Sequence, residues 1–211
     1  MLRMCLLVCV MAGSMAVHAQ YAGYTLLSDV TGFKGAFAAA SAKMTSLSCD
    51  FVQEKNLSML SEKIVSRGKF RFRKDNKVRM EYTQPFQYLM IMAGDRIYIR
   101  DDQKEHSVST KSNKLFGQIN ELVVDCVKGS ALENPHFSVR VFEGAGNYLI
   151  ELTPTGKDLK ELFKTINISI DKKDFSASGI DMREPSGDYT ILTFTHKELN
   201  SPLPDALFTM H

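Results

Sequence analysis

From about residue 49 onward the apolar side chains recur at every second position, and a chain that keeps this period for most of its length folds mainly as β-strands. Gly68, Phe70 and Phe72 alternate with Lys69, Arg71 and Arg73; the polar turn Lys74-Asp75-Asn76 follows; then Val78, Met80 and Tyr82 alternate with Arg79, Glu81 and Thr83. This is the pattern of a hairpin with one apolar and one charged face. After the break at Gln84-Pro85-Phe86, residues 88–93 and 96–100 flank Gly94-Asp95 and give a second hairpin. Further strands are expected at 136–142, 147–152, 165–170, 175–182 and 189–196, separated by turn sequences at 144–146, 172–174 and 185–188. Spacing this regular predicts an antiparallel meander, either a sandwich or a partial barrel.

Ahead of the strands, Leu26, Val30, Phe33, Phe37, Ala40, Met44 and Leu47 stand at steps of three and four, which predicts one amphipathic helix over residues 25–47. Gly32 and Gly35 weaken its start, at up to about 1 kcal/mol each. Two helical inserts interrupt the strands: 113–124, with Phe116, Ile119, Leu122 and Val123 on one face, and 156–163, with Leu159, Leu162 and Phe163. The expected class is mainly β (α+β): a long antiparallel sheet, an N-terminal helix and short helical inserts.

Residues 1–19 have the layout of a cleavable signal peptide: Arg3, an apolar stretch from Cys5 to Val17, and Val17-His18-Ala19 before Gln20. The stretch is shorter than the ~20 residues of a membrane span. An uncleaved anchor, a buried core helix and a lipoprotein acylated at Cys9 after Leu6-Leu7-Val8 are the alternatives. Export to the periplasm leaves residues 20–211 as a single domain, 192 of the 211 residues, with 25 basic against 24 acidic side chains. That balance gives no electrostatic footprint for nucleic acid. Only Cys49 and Cys126 remain after cleavage, and in an oxidising compartment they are candidates for a disulfide worth roughly 4 kcal/mol by loop entropy. Two buried free thiols are the alternative.

Candidate catalytic chemistry is sparse. His106, His136, His196 and His211 are scattered; no H-E-x-x-H, metal-spaced cysteine pair, Gly-rich phosphate loop or G-x-S-x-G elbow occurs; and Asp101-Asp102 falls in a turn. We therefore expect a binding protein without cofactor or metal. One long helix and two short ones cover a broad sheet less completely than a second sheet does. The apolar face either closes as a sandwich or keeps a hollow for an apolar ligand. Phe70, Phe72, Met80, Tyr82, Met90 and Met92 supply large, adaptable side chains for such a hollow, and their plain alternative role is core packing.

In order along the chain, Phe51-Val52-Gln53 after the helix, Gly68 opening an alternating strand, Tyr82-Thr83-Gln84-Pro85, and Gly94-Asp95-Arg96-Ile97-Tyr98 resemble the periplasmic outer-membrane lipoprotein carriers, the LolA-like proteins. The match continues through Leu152-Thr153-Pro154, Leu159-Lys160, Phe163 and the alternation of Ile166, Ile168 and Ile170 to Asn200-Ser201-Pro202-Leu203-Pro204-Asp205 with Phe208. The resemblance implies an open half-barrel of about eleven strands lidded by helices. It implies a cavity for lipoprotein acyl chains or other lipid, lined by Phe51, Phe70, Phe72, Val78, Met80, Tyr82, Met90, Met92 and Tyr98. Phe37, Met44, Phe116, Ile119, Leu122 and Phe163 would belong to the lid. Lys74 falls where relatives carry a lid-latching Arg, which makes it the candidate latch here. The implied partners of this expected monomer are an inner-membrane ATP-driven exporter and an outer-membrane acceptor. The other readings are a lipid or lipoprotein sensor on the same scaffold and a closed β-sandwich interaction module.

Overall fold

The computed structural model describes residues 21–101, 104–109, 124–125 and 130–209. Its elements are β1 (Thr25–Leu26), α1 (Val30–Lys43), β2 (Ser46–Asn56), β3 (Ile64–Arg73), β4 (Lys77–Gln84), β5 (Tyr88–Ala93), β6 (Arg96–Arg100), β7 (Glu105–Ser109), β8 (Phe137–Glu143), β9 (Asn147–Pro154), α2 (Lys157–Leu162), β10 (Thr165–Asp171), β11 (Ala177–Arg183) and β12 (Tyr189–Leu199). All of these strands form one 12-stranded antiparallel sheet in the order β1-β8-β9-β10-β11-β12-β2-β3-β4-β5-β6-β7. It is two meanders, β2 to β7 and β8 to β12, zipped together where β12 pairs with β2. The order is open, with β1 and β7 as its edges.

Register turns the sequence alternation into two faces. Leu47, Cys49 and Phe51 stand opposite Phe72, Phe70 and Gly68, and Phe72, Phe70 and Gly68 stand opposite Val78, Met80 and Tyr82. Met80 and Val78 in turn face Met90 and Met92. Gly68 is required at its place. A Cβ there would lie 2.1 Å from the Glu81 carbonyl oxygen and 2.6 Å from the Phe51 ring, which packs directly over the strand. The β3–β4 turn is made by Asn76 at φ 61°, a left-handed position that Asn tolerates.

The helix is shorter than the 25–47 expected from spacing. Asp29 caps its start, its carboxylate accepting from the Gly32 amide at 2.8 Å, and a side chain at Gly32 would collide with that carboxylate. Met44 is already extended. Leu26 therefore belongs to β1 and Leu47 to β2, although both fit the helical stripe. The second insert is found as α2, with Leu159 buried; the first lies outside the described residues apart from Val124 at its end. The strands expected from 136 onward are all present as β8 to β12, three of them starting at the expected residue and no end shifted by more than three. The two-residue β1 and the edge strand β7 were not expected.

Burial divides into three clusters. Phe33 and Phe37 of α1 pack on Val141, Ile150, Leu152, Ile166, Ile168 and Ile170 of β8 to β10, and with Tyr148 and Phe175 they form a ring cluster at centroid separations of 4.6–6.4 Å. On the same face, Leu47, Cys49, Phe51, Phe70, Phe72, Val78, Met92 and Ile97 make the second cluster, to which Met44 contributes. The third lies on the outer face, where Phe208, Leu203 and Leu207 cover Leu89, Ile91 and Tyr98. Arg73 fixes this C-terminal strap: its guanidinium forks onto Asp75 at 2.8 Å twice, donates to the Leu203 carbonyl at 2.8 Å, and reaches Asp205.

Candidate functional site

Between the second half of α1 and the sheet there is a cavity of about 400 Å³, within the 300–1,000 Å³ typical of small-ligand sites. It exists because α1 turns small residues toward it: Ala38, Ser41 and Ala42 stand at i, i+3 and i+4, where larger side chains would fill the gap. Phe72, Met44 and Leu132 supply its apolar walls, and Lys34, Lys74, Ser130 and Glu133 complete its lining. The wall at 130–134 is fixed by Asp125, whose carboxylate accepts from Ser130 Oγ at 2.6 Å and Asn134 Nδ2 at 2.7 Å.

The cavity thus brings together residues predicted separately as cavity (Phe72), lid (Met44) and latch (Lys74). Lys74 Nζ donates to the Ala42 carbonyl at 2.8 Å, and the Lys74 amide donates to the Thr45 carbonyl at 2.9 Å. The ammonium therefore sits at the C-terminal end of α1, where carbonyls lack intrahelical partners and the helix dipole favours a cation.

The other expected cavity residues spread over the same face at two depths. Phe51, Phe70, Phe72, Val78 and Met92 are buried, whereas Met80, Tyr82 and Met90 are half-buried beside Ile99, Ile180, Met182 and Phe194. Tyr82 meets the Phe51 ring edge-on at 5.0 Å and donates from its hydroxyl to Gln53 Oε1 at 2.8 Å. Burial pushes its phenol up to about 12.

Three expectations need correction. Tyr98 pairs with Ile91 and lies on the outer face under Phe208; Ile97 and Ile99 hold the inner positions. Cys49 is a buried free thiol inside β2, so the expected disulfide is not formed; burial raises it to about 12, and Cys126 lies outside the described residues. Phe163 packs half-buried against the first cluster beyond α2, not against the cavity. Phe37 and Met44 are both buried under α1's end of the sheet, whereas Phe116, Ile119 and Leu122 lie outside the described residues.

Sequence reasoning missed the cavity's small-residue stripe, with Lys34, Leu132 and Glu133. A readable signal existed in Ala38-x-x-Ser41-Ala42, one helical face without bulk. Among the described residues no group of His, Cys, Asp and Glu is arranged to hold a metal ion, and no helix is long and apolar enough to cross a membrane.

Comparison with known proteins agrees with this architecture. The family model described as outer membrane lipoprotein carrier protein LolA matches residues 42–211. An outer-membrane lipoprotein carrier protein of Cupriavidus taiwanensis is 32% identical over 139 residues, covering 65% of this chain and 63% of that protein, under two thirds of its length. One from Ralstonia nicotianae is 27% identical over 175 residues, covering 79% and 77%. The crystal structure of an uncharacterized conserved protein from Thermus thermophilus superposes with a TM-score of 0.53 at 8% identity, covering 86% of this chain and 93% of that one, which is likeness of fold.

Proposed function

The chain belongs to the outer membrane lipoprotein carrier family, LolA, and from that premise we propose that it is a periplasmic carrier that shelters lipoprotein acyl chains between α1 and the sheet and passes them from the inner to the outer membrane. The observation that carries this reading is the cavity of about 400 Å³ floored by Phe72 and walled by Met44 and Leu132. A ligand site of that size with apolar walls suits alkyl chains, whose transfer from water is worth about 0.8 kcal/mol per CH₂. A carrier must also let go. Phe33 and Phe37 anchor the first half of α1 in the core, so the part that would yield is its second half, where Ala38, Ser41 and Ala42 leave the gap and one lysine makes the latch. Cargo would come from an inner-membrane ATP-driven exporter and leave to an outer-membrane acceptor.

The test is purification of the mature protein from native periplasm, with mass spectrometry of the co-purified material, beside depletion in cells. Acyl-bearing peptides on the protein, and lipoproteins stranded in the inner membrane on depletion, are expected. Normal lipoprotein sorting after depletion would refute the shuttle and turn the scaffold toward a sensor role.

A further inference from the structure

The cavity has a charged mouth as well as an apolar floor. Lys34 stands one turn before Ala38 and two before Ser41, on the same stripe of α1, and it is exposed and makes no ion pair among the described residues. Lys74 reaches the cavity from the opposite side, from the tip of the β3–β4 hairpin. An ammonium carries three donors, and the bond to the Ala42 carbonyl occupies one of those on Lys74. The third charged group is Glu133, which is exposed and unpaired among the described residues. Ser41 also lines the cavity and is 5% exposed, and its Oγ, closed off from solvent, has no hydrogen-bond partner among the described residues.

From this arrangement we infer that the cavity selects an amphiphile whose head group is anionic, a carboxylate or a phosphate held between Lys34 and Lys74, with its alkyl chain on Phe72, Met44 and Leu132. The inference rests on the carrier reading, since it needs an alkyl chain in this cavity, and on a lipoprotein the anion would be an acidic side chain beside the acylated end, whose own ester and amide links are neutral. It adds a preference that alkyl burial alone cannot give. A neutral head group gains at most a hydrogen bond from an ammonium, an anionic one gains charge attraction as well, and a cationic one is repelled by both. Glu133 opposes the anion from the third side and keeps the preference moderate.

The experiment is displacement of Nile red from the mature protein by laurate, dodecyl phosphate, dodecanol and dodecyltrimethylammonium at equal ionic strength. The two anions should bind roughly three- to tenfold more tightly than dodecanol, the range for one or two exposed charge contacts, and the cation least tightly. Lys34→Gln should bring the anion preference to within about twofold, Lys34→Arg should keep it, and Glu133→Gln should enlarge it. The exposed positions of Lys34 and Glu133 leave the fold intact, which a thermal melt verifies. The tighter of laurate and dodecyl phosphate identifies the head group, and either supports the inference. Equal binding of anions and dodecanol, or a preference that neither Lys34→Gln nor Glu133→Gln moves, overturns the head-group inference and leaves the carrier reading standing. Failure of every chain to displace the dye overturns both.

Discussion

Replacing Lys74 by Ala tests whether the hairpin tip governs access to the cavity. The substitution removes the ammonium that meets the Ala42 carbonyl at 2.8 Å and leaves the backbone bond from the Lys74 amide to Thr45 in place. The turn itself should therefore keep its shape. Lys74 is solvent-exposed, so the contact is worth what a surface charge-assisted bond at a helix end is worth. The dipole part is ~0.3–1 kcal/mol and the net hydrogen bond ~0.5–1.5 kcal/mol, and water re-solvating the freed carbonyl keeps the sum near ~1 kcal/mol. If the contact exists only when α1 is closed over the sheet, its loss raises the open population about fivefold. Global stability should fall by the same amount, a Tm drop of about 2–4 °C for a chain of this size. Stopped-flow release of Nile red into acceptor vesicles, with hydrogen exchange of the amides from 38 to 44, reads both effects. Lys74→Arg should restore wild-type release, because the guanidinium also offers a donor to the carbonyl. Release from Lys74→Ala at the wild-type rate, alongside the expected Tm drop, would refute the reasoning and leave Lys74 a purely structural contact.

Gly68→Ala should cost about 1–3 kcal/mol, because the added methyl meets the Glu81 carbonyl oxygen and the Phe51 ring at overpacking distance, and denaturant melts with an unchanged midpoint would contradict the packing described. Met80→Glu should impair dye and lipid uptake more than it lowers Tm, since Met80 is half-buried at the open part of the face; uptake and Tm falling in proportion across several such variants would make it ordinary core. Asp75 and Asp205 are held below their ordinary 3.8, Asp75 chiefly by hydrogen bonds from Arg73 and Asp205 by those from Lys77 and Arg73. Lowered folded values mean that their stabilisation of the C-terminal strap is complete above pH ~4 and is lost as pH falls below it. The protection of the amides of residues 203–208, each rate compared with its intrinsic rate at the same pH, should fall on acidification from pH 5 to 3, and Arg73→Ala should show the lower protection already at pH 6. Cys49 should resist alkylation at pH 8 in the native protein, given its burial and a thiol raised to about 12, and become reactive in denaturant; rapid native labelling at that residue by mass spectrometry would oppose this placement.

How far the sequence disclosed this molecule depends on whether one face or two were apolar. Where a strand has charge on one side, as in Lys69-Phe70-Arg71-Phe72-Arg73, alternation assigned the inner face correctly, because burial falls on every second residue. In β6 the run Ile97-Tyr98-Ile99 is apolar on both sides, since the C-terminal strap covers the outer face with Phe208; periodicity cannot choose between faces there, and Tyr98 fell on the wrong one. The helix was overextended for a related reason. Leu26 and Leu47 continue the three-and-four spacing by position while serving β1 and β2, and the true start was written instead in Asp29 and Gly32, a cap and the one residue small enough to lie beneath it. The cavity was the least legible feature, because it is made by what is missing. Ala38, Ser41 and Ala42 announce a helix face without bulk, but the sequence does not say what stands opposite. Only the pairing of β2 with β3, and the anchoring of Lys74 on the end of α1, bring Phe72 and the hairpin tip beneath that face. A volume that depends on three distant segments is set by topology, so substitutions that fill it from the helix side should alter binding while leaving every strand register unchanged.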